Sequence, residues 1–172
     1  KFQEGSIGKY SSPYAFSKAQ NTEFIKAFDS WYELNYAITY FYNVYGSNEI
    51  QEGKYATLIG LFTNLKSKKK PLTVVKPGNQ RRNFTHVDDI VNGLILVGEF
   101  GSGDGYGIGA DESYTVSEVA EFFGGEINFL EERKGNRISA KLNVEKTKQI
   151  GWKSKKRLID YIKLLKDNNW NN

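Results

Sequence analysis

Apolar residues recur at helical spacing near the start of the chain. The first such set consists of Phe24, Ile25, Phe28 and Trp31. Ser12 followed by Pro13 is a typical helix start, because serine caps a helix and proline loses no hydrogen bond in the first turn. Together these features predict a helix over about residues 13–33. Residues 36–41 are mainly β-branched and aromatic, which predicts a strand buried on both faces of a parallel sheet.

The rest of the chain alternates in the same way between helical stripes and short apolar runs. The stripes predict a helix over about residues 58–65, one beginning at Asp88, and one opened by a capping box of Thr115 and Glu118. Short strands are predicted at residues 72–75 and 127–130, and two closing helices at about 143–150 and 158–167. Without internal repeats or long linkers, this order indicates one compact α/β unit.

Composition narrows the function classes. The chain has no apolar run of about 18 residues and no charged-then-apolar leader, so we expect a cytoplasmic protein with no membrane contact. It has no cysteine and one histidine, His86, which excludes a disulfide framework and a His/Cys metal centre. The net charge of +4 comes partly from lysine-rich residues 66–70 and 153–157. No nucleic-acid motif accompanies them, so we expect no nucleic-acid partner.

The chain contains no methionine and begins at Lys1. We therefore expect it to be a fragment of a longer protein. The predicted strands support this expectation, because only one of them is long and buried, whereas a doubly wound domain needs several parallel strands. The others are expected upstream of Lys1.

Tyr14 and Lys18 are the first candidates for chemistry. They are four residues apart at the start of the first predicted helix, which places both side chains on one face. An ammonium group beside a phenol stabilises the phenolate, so the tyrosine can take a proton from a sugar hydroxyl near neutral pH. The spacing alone is weak evidence, because about one such pair is expected by chance in this composition. A surface pair without function is equally consistent with it.

Four segments in order match one sequence pattern. Residues 12–18 (S-P-Y-A-F-S-K) resemble P-Y-x-x-S-K, and residues 41–46 (F-Y-N-V-Y-G) resemble Y-F-N-V-Y-G. Residues 82–89 (R-N-F-T-H-V-D-D) resemble R-D-F-x-H-V-D-D, and residues 133–136 (R-K-G-N) resemble R-x-G-D. These motifs are typical of the extended short-chain dehydrogenase/reductase family, and the chain resembles its NAD-dependent nucleotide-sugar epimerases and dehydratases, UDP-glucose 4-epimerases among them, along essentially its whole length.

The resemblance implies a fold and assigns cofactor binding and substrate binding to different parts of the chain. The fold class is α/β, the C-terminal part of a Rossmann-like doubly wound parallel sheet plus a small α/β substrate-binding subdomain. Residues 1–172 then form a single partial unit. Residues 1–50 or so end the NAD-binding part and carry the Tyr/Lys helix, and about residues 51–172 mainly bind the nucleotide sugar. By the same resemblance, members are often dimers through the tyrosine helix, so a homodimer is possible.

The resemblance also assigns site residues. Tyr14 and Lys18 would be catalytic and would contact the NAD cofactor, with Phe41 near the nicotinamide. The nucleotide-sugar substrate would be bound by Asn43, Arg82, Arg133 and Asn136. Arginine suits a diphosphate because its planar guanidinium donates two parallel hydrogen bonds and stays charged. Asn43 follows a predicted strand, where open α/β sheets bind ligands. Asn136 would meet the nucleotide ribose.

Three features depart from the pattern or need separate interpretation. Asn83 and Asn136 stand where the family often has aspartate, and Tyr40 where it often has arginine. His86 is expected to support the loop before a helix rather than to act in catalysis. Residues 105–110 spell a nominal G-x-G-x-x-A, but they follow a glycine-rich loop and not an apolar strand. We interpret them as a strand of the substrate-binding part.

On this resemblance we expect epimerisation at C4 of a nucleoside-diphosphate sugar through a 4-keto intermediate. A 4,6-dehydratase or decarboxylase of the same family remains open. A dehydratase needs an acidic pair beside the tyrosine, and neither Pro13 nor Ala15 supplies one. A non-catalytic sugar-nucleotide-binding remnant also remains open. The family's glycine-rich phosphate-binding loop is not among the 172 residues, so we expect the isolated chain to bind NAD poorly and to be inactive.

Overall fold

The computed structural model describes residues 13–131 and 142–171. In chain order, the elements are α1 (Pro13–Tyr32), β1 (Ala37–Phe41), β2 (Val44–Tyr45), α2 (Leu58–Ser67), β3 (Leu72–Val75), β4 (Arg81–Asn83), β5 (Thr85–His86), α3 (Val87–Phe100), β6 (Gly103–Ile108), β7 (Ser113–Thr115), α4 (Val116–Phe123), β8 (Ile127–Leu130), α5 (Glu145–Gln149) and α6 (Leu158–Asp167).

The strands pair in four short ladders. Three ladders are parallel, β1 with β6, β2 with β5 and β3 with β8, and β4 with β7 is antiparallel. Every predicted helix and strand is found in the described part of the chain, and the α/β class is confirmed. The segment 105–110 lies largely in β6, as predicted. The ladders bring strands far apart in sequence together, because each parallel pair needs a crossover connection.

One prediction about burial was wrong. Residues 36–41 were expected to be buried on both faces, but in β1 only Ile38 is buried and Phe41 is 50% exposed. Within the described residues β1 has β6 as its one strand partner, so much of its surface is open. The short strands β2, β4, β5 and β7 were not predicted. Strands of two or three residues contain too few positions for alternation to show.

Two groups of buried side chains form the interior. The larger one joins α2, β3, α4 and α6, and its most completely buried members include Phe62, Leu72, Val74, Val119 and Leu158. The smaller one joins α3 to β6 and the segment after α5 through Ile90, Ile108 and Trp152. Both groups lie in the part of the chain after residue 44. That part therefore contains most of the apolar burial that stabilises the described fold.

Helix ends follow the sequence signals. The predicted capping box at α4 is confirmed, because the Thr115 hydroxyl accepts from the Glu118 N–H at 3.1 Å and the Glu118 carboxylate accepts from the Thr115 N–H at 2.6 Å. Gly151 follows α5 with a φ of +91°, the left-handed conformation that glycine adopts without strain. The cap predicted at Ser12 lies outside the described residues.

Gly107 of β6 and Gly109, just after that strand, allow close packing. A Cβ on Gly107 would lie 1.9 Å from the Asn143 carbonyl oxygen, and one on Gly109 would lie 2.6 Å from the Tyr42 ring. The Thr147 hydroxyl also donates to the Gly107 carbonyl at 2.7 Å. These glycines therefore let Tyr42 and the start of α5 lie directly on the strand. Among the described helices, none is both long and apolar enough to cross a membrane.

Candidate active site

Tyr14 and Lys18 lie side by side at the start of α1. Tyr14 is 71% exposed, Lys18 is exposed, and the Lys18 Nζ lies 5.6 Å from the centre of the Tyr14 ring. Ser17 lies between them and its hydroxyl donates to the Tyr14 carbonyl at 2.9 Å. The helical spacing thus presents a phenol and an ammonium together on an open face. A bound molecule could reach both groups at once.

A polar cluster ties α1 to the strands behind it. The Tyr40 hydroxyl donates to Asp104 Oδ1 at 2.8 Å, and the Lys26 Nζ lies 3.3 Å from Asp104 Oδ2. The hydrogen bond to Asp104 raises the pKa of the Lys26 ammonium, and burial together with Asp104 raises the pKa of the Tyr40 phenol. Tyr40 is the position at which the resembled family often has arginine. Here its hydroxyl joins β1 to β6 beside the helix that carries Tyr14.

Asn43 lies in the turn after β1, beyond Phe41 at the end of that strand. Its φ of +36° is in the left-handed region, which asparagine tolerates better than most residues. Its side-chain amide donates to the Asn83 carbonyl at 2.9 Å, and its own carbonyl accepts from the Thr85 N–H at 3.2 Å. The turn after β1 is therefore fixed against the segment containing β4 and β5.

The structure brings two of the predicted substrate-binding residues into neighbouring segments. Arg82 lies on β4 opposite Tyr114 of β7, it is half-buried, and its Nη1 donates to the Arg81 carbonyl at 2.9 Å. The adjacent residue, Asn83, is the one that binds Asn43. The other two predicted contacts, Arg133 and Asn136, lie outside the described residues.

Sequence reasoning missed the contribution of Asn83. Its side-chain amide donates to the Ala110 carbonyl at 2.9 Å and lies 3.4 Å from the carbonyl oxygens of Asp111 and Glu112. The one available signal was its departure from the family pattern, to which no role was assigned. The structure shows that this amide instead contacts the turn formed by residues 110–112.

His86 and the two acidic residues after it organise the start of α3. The buried His86 ring accepts from the Asp88 N–H through Nδ1 at 3.1 Å and caps the helix, in agreement with its predicted supporting role. Burial and the Lys156 charge lower the pKa of the imidazole. Asp89, which was not singled out in the sequence, is buried and its Oδ2 accepts from the Lys155 and Lys156 N–H groups at 2.9 Å each.

Known proteins are similar to this chain in sequence. Residues 1–109 match the family model described as the NAD dependent epimerase/dehydratase family. A Methanocaldococcus jannaschii protein provisionally named as a UDP-glucose 4-epimerase is 29% identical over 165 residues, which cover 88% of this chain and 53% of that protein. The mouse dTDP-D-glucose 4,6-dehydratase is 27% identical over 169 residues, or 90% of this chain and 46% of the relative. The chain thus spans about half the length of these relatives.

Solved structures show the same fold. A UDP-glucose 4-epimerase from Thermotoga maritima, solved with UDP-glucose, has a TM-score of 0.81 at 23% identity, covering 92% of this chain and 57% of that one. A dTDP-glucose 4,6-dehydratase from Bacillus anthracis, solved with NAD, has a TM-score of 0.79 at 26% identity, covering 95% and 58%. The Rossmann-like α/β fold is confirmed. Because the family model matches well over half of its residues, the chain belongs to the NAD-dependent epimerase/dehydratase family.

Proposed function

We propose that the protein takes part in NAD-dependent epimerisation at C4 of a nucleoside-diphosphate sugar through a 4-keto intermediate. The observation that carries this proposal is the Tyr14–Lys18 pair, which stands on an open face of α1 in a chain of this family. The relatives include both epimerases and 4,6-dehydratases. Epimerisation at C4 is the more specific reaction that we propose within this family.

In this proposal Tyr14 is the base. Its phenolate oxygen takes the proton of the sugar hydroxyl at C4, and the Lys18 ammonium stabilises that phenolate. NAD, when bound, supplies the acceptor for the hydride that leaves the same carbon. In the second half of the reaction the C4 ketone would take the hydride back on its opposite face, and the Tyr14 hydroxyl returns its proton to the sugar oxygen, so the residue begins and ends each cycle in the same state.

The described residues fit the nicotinamide end of NAD better than its pyrophosphate. Tyr14 and Lys18 are both accessible to a nicotinamide ribose, and Phe41 is half-exposed at the end of β1, where we propose that it contacts the cofactor. The described G-x-G-x-x-A segment cannot hold the pyrophosphate, because it lies largely in β6 with Gly107 packed against Asn143. We therefore expect the 172 residues alone to bind NAD weakly and to turn over no substrate.

We propose that Asn43 and Arg82 bind the nucleotide sugar. Asn43 is exposed, lies just past the carboxyl end of β1, and is fixed to the segment that contains Arg82. The Arg82 guanidinium suits the diphosphate for the reason given above. By resemblance we assign Arg133 to the diphosphate as well, and Asn136 to the ribose. Residues 1–50 or so then serve mainly the cofactor, and about 51–172 mainly the sugar nucleotide.

A 4,6-dehydratase is the second candidate, and the similarity to the mouse and Bacillus anthracis enzymes favours it. Both reactions begin with oxidation at C4. They differ afterwards, because a dehydratase eliminates water from the sugar. The neighbours of Tyr14, Pro13 and Ala15, carry no acid for that elimination, so we keep epimerisation as the first choice.

A homodimer through α1 is part of the proposal. Beyond the catalytic pair this helix exposes a set of aromatic side chains whose rings contact one another, Phe24, Phe28, Trp31 and Tyr32. Large exposed apolar groups of this kind typically mark a protein interface. Sedimentation equilibrium of the protein would give twice the chain mass if the proposal holds and the single-chain mass if it does not.

The decisive experiment is a product assay with a matched pair of variants. The protein from the complete reading frame is incubated with NAD and a panel of UDP- and dTDP-sugars, and the sugars are separated by chromatography. Tyr14→Phe should lower kcat by about a hundredfold or more, because it removes the proton acceptor. Tyr55→Phe is the control, since Tyr55 is also exposed and also has a lysine, Lys54, over its ring at 6.0 Å.

The products separate the candidates. A C4 epimer supports epimerisation, and a 4-keto-6-deoxy sugar supports the dehydratase. Equal loss in the Tyr14 and Tyr55 variants would contradict the catalytic assignment. Binding of nucleotide sugars by a protein that converts none of them would support a binding remnant instead.

A further inference from the structure

Four hydrogen bonds form a closed ring around the turn that carries Asn43. The Asn43 amide donates to the Asn83 carbonyl at 2.9 Å, and the Asn83 amide donates to the Ala110 carbonyl at 2.9 Å. The Ala110 N–H then donates to the Thr85 hydroxyl oxygen at 3.0 Å, and the Thr85 N–H donates back to the Asn43 carbonyl at 3.2 Å. We call these four residues the Asn43 ring. It connects three separate segments of the chain.

We infer that Asn83 is a positioning residue that sets the place of Asn43, and through it the site for the nucleotide sugar. This inference rests on the proposed function, in which Asn43 binds the substrate. Asn83 links Asn43 directly to the 110–112 turn, because its main-chain carbonyl accepts from the Asn43 amide and its side-chain amide donates to the Ala110 carbonyl. Movement of that turn reaches Asn43 through Asn83 on one side of the ring and through Thr85 on the other.

The side chain at position 83 has to be a donor. Its amide nitrogen lies within 3.4 Å of three carbonyl oxygens, those of Ala110, Asp111 and Glu112. An aspartate has the same shape but, when ionised, only accepts hydrogen bonds. The negative carboxylate would lie against three partially negative carbonyl oxygens and would have no proton to donate to them. The asparagine in this chain, where the resembled motif often has aspartate, is thus required by the local arrangement.

The 110–112 turn has a buried first residue and two surface ion pairs on its other side. Asp111 pairs with the Lys148 Nζ at 2.8 Å, and Glu112 accepts from the Arg157 Nε at 2.7 Å. Ala110 and Thr85 are both buried. The turn is therefore a fixed point to which Asn83 can anchor, and the more exposed Asn43 is the end that moves when the anchor is lost.

The test compares Asn83→Asp with Asn128→Asp, a change of the same charge at an exposed residue of β8. The first readout needs no ligand. In nitrogen-15 NMR spectra, Asn83→Asp should shift the Asn43 side-chain amide and the main-chain amides of residues 110–112, and Asn128→Asp should shift neither. If the Asn43 amide keeps its position in Asn83→Asp, the inference is wrong.

The second readout is kinetic. In the protein that turns over nucleotide sugar, Asn83→Asp should raise KM for the sugar nucleotide about tenfold or more, because Asn43 would no longer be held in place to bind it, with a much smaller change in kcat. A merely structural role would lower the amount of active protein and leave KM unchanged. That result would overturn the inference.

The two readouts also separate this inference from the proposed function. If the unaltered protein converts no nucleotide sugar and binds neither UDP nor dTDP, the proposed function fails, and the NMR shifts alone decide whether Asn83 positions Asn43. Should Asn83→Asp not fold, Thr85→Val opens the ring on its other side by removing the acceptor for the Ala110 N–H. The same Asn43 shift is expected there, and its absence would count against the ring as the positioning device.

Discussion

Two adjacent acidic residues at the start of α3 should differ sharply in their effect on stability. Asp89 is 2% exposed, and its Oδ2 accepts hydrogen bonds from the Lys155 and Lys156 main-chain N–H groups at 2.9 Å each. Asp88 has a side chain that is 54% exposed and pairs with the Lys156 ammonium at the surface. Both lie in the first turn of α3 and interact similarly with the helix dipole, so their comparison isolates the burial of Asp89 together with its two main-chain hydrogen bonds.

The magnitude follows from the bonds that Asp89→Ala would remove. Hydrogen bonds to a charged group contribute about 1.5 kcal/mol each at the low end, so the loss of two is about 3 kcal/mol. The two N–H groups of residues 155 and 156 would also lose their acceptor in a partly buried place. Asp88→Ala removes a surface ion pair, and such pairs contribute little because water and salt screen them.

Urea unfolding followed by circular dichroism measures the difference. With a urea dependence of about 2 kcal/mol per M, the loss of 3 kcal/mol moves the unfolding midpoint down by about 1.5 M. Asp89→Asn keeps one oxygen in place and should lie between Asp89→Ala and the unaltered protein. The reasoning is refuted if Asp88→Ala lowers the midpoint as much as Asp89→Ala does.

Three further predictions follow from the fold. Gly107→Ala should destabilise the protein severely, because its Cβ would lie 1.9 Å from the Asn143 carbonyl oxygen. Gly98→Ala has open space around it in α3 and should stabilise the protein by about 0.5–1 kcal/mol. Thermal unfolding of the two variants tests this difference. Burial lowers the pKa of the His86 imidazole, so the unfolded chain binds a proton more readily than the folded one, and stability should fall as the pH drops below about 6.5. His86→Asn keeps a capping side chain and should flatten that pH dependence, which urea titrations at several pH values would measure. Hydrogen exchange should be faster in α1 than in α2, because α1 buries one residue of twenty in the described fold, and equal protection would contradict this.

The sequence predicted the elements with long periodic patterns and strong end signals. The capping box at Thr115 and Glu118 and the glycine after α5 placed two helix ends, because each signal acts within a few residues. The pairing of strands could not be predicted in the same way. β4 and β7 are only three residues each and lie about thirty positions apart, so nothing local in either segment identifies its partner.

The site was predictable as far as it depends on motifs. The Tyr14–Lys18 face follows from helical spacing alone, and the structure shows both side chains there. Asn83 and Asp89 could not be assigned, because their partners are main-chain groups of residues 110–112 and 155–156. A main-chain carbonyl or N–H is present at every residue and leaves no mark in the sequence. Such contacts become visible only when the fold brings the segments together.

The two halves of the proposed site are held by different kinds of contact. Asn43 belongs to a ring of hydrogen bonds closed by buried Thr85 and Ala110, and that ring is complete within the described residues. Tyr14 and Lys18 stand on a helix that, among the described residues, buries only Ala19 and is linked to the strands through the half-buried Lys26. The substrate-binding half therefore depends mainly on this chain's own interior. In the proposed dimer, the catalytic half would depend on the contact that covers the exposed aromatic side chains of α1, and α1 would then couple assembly to catalysis.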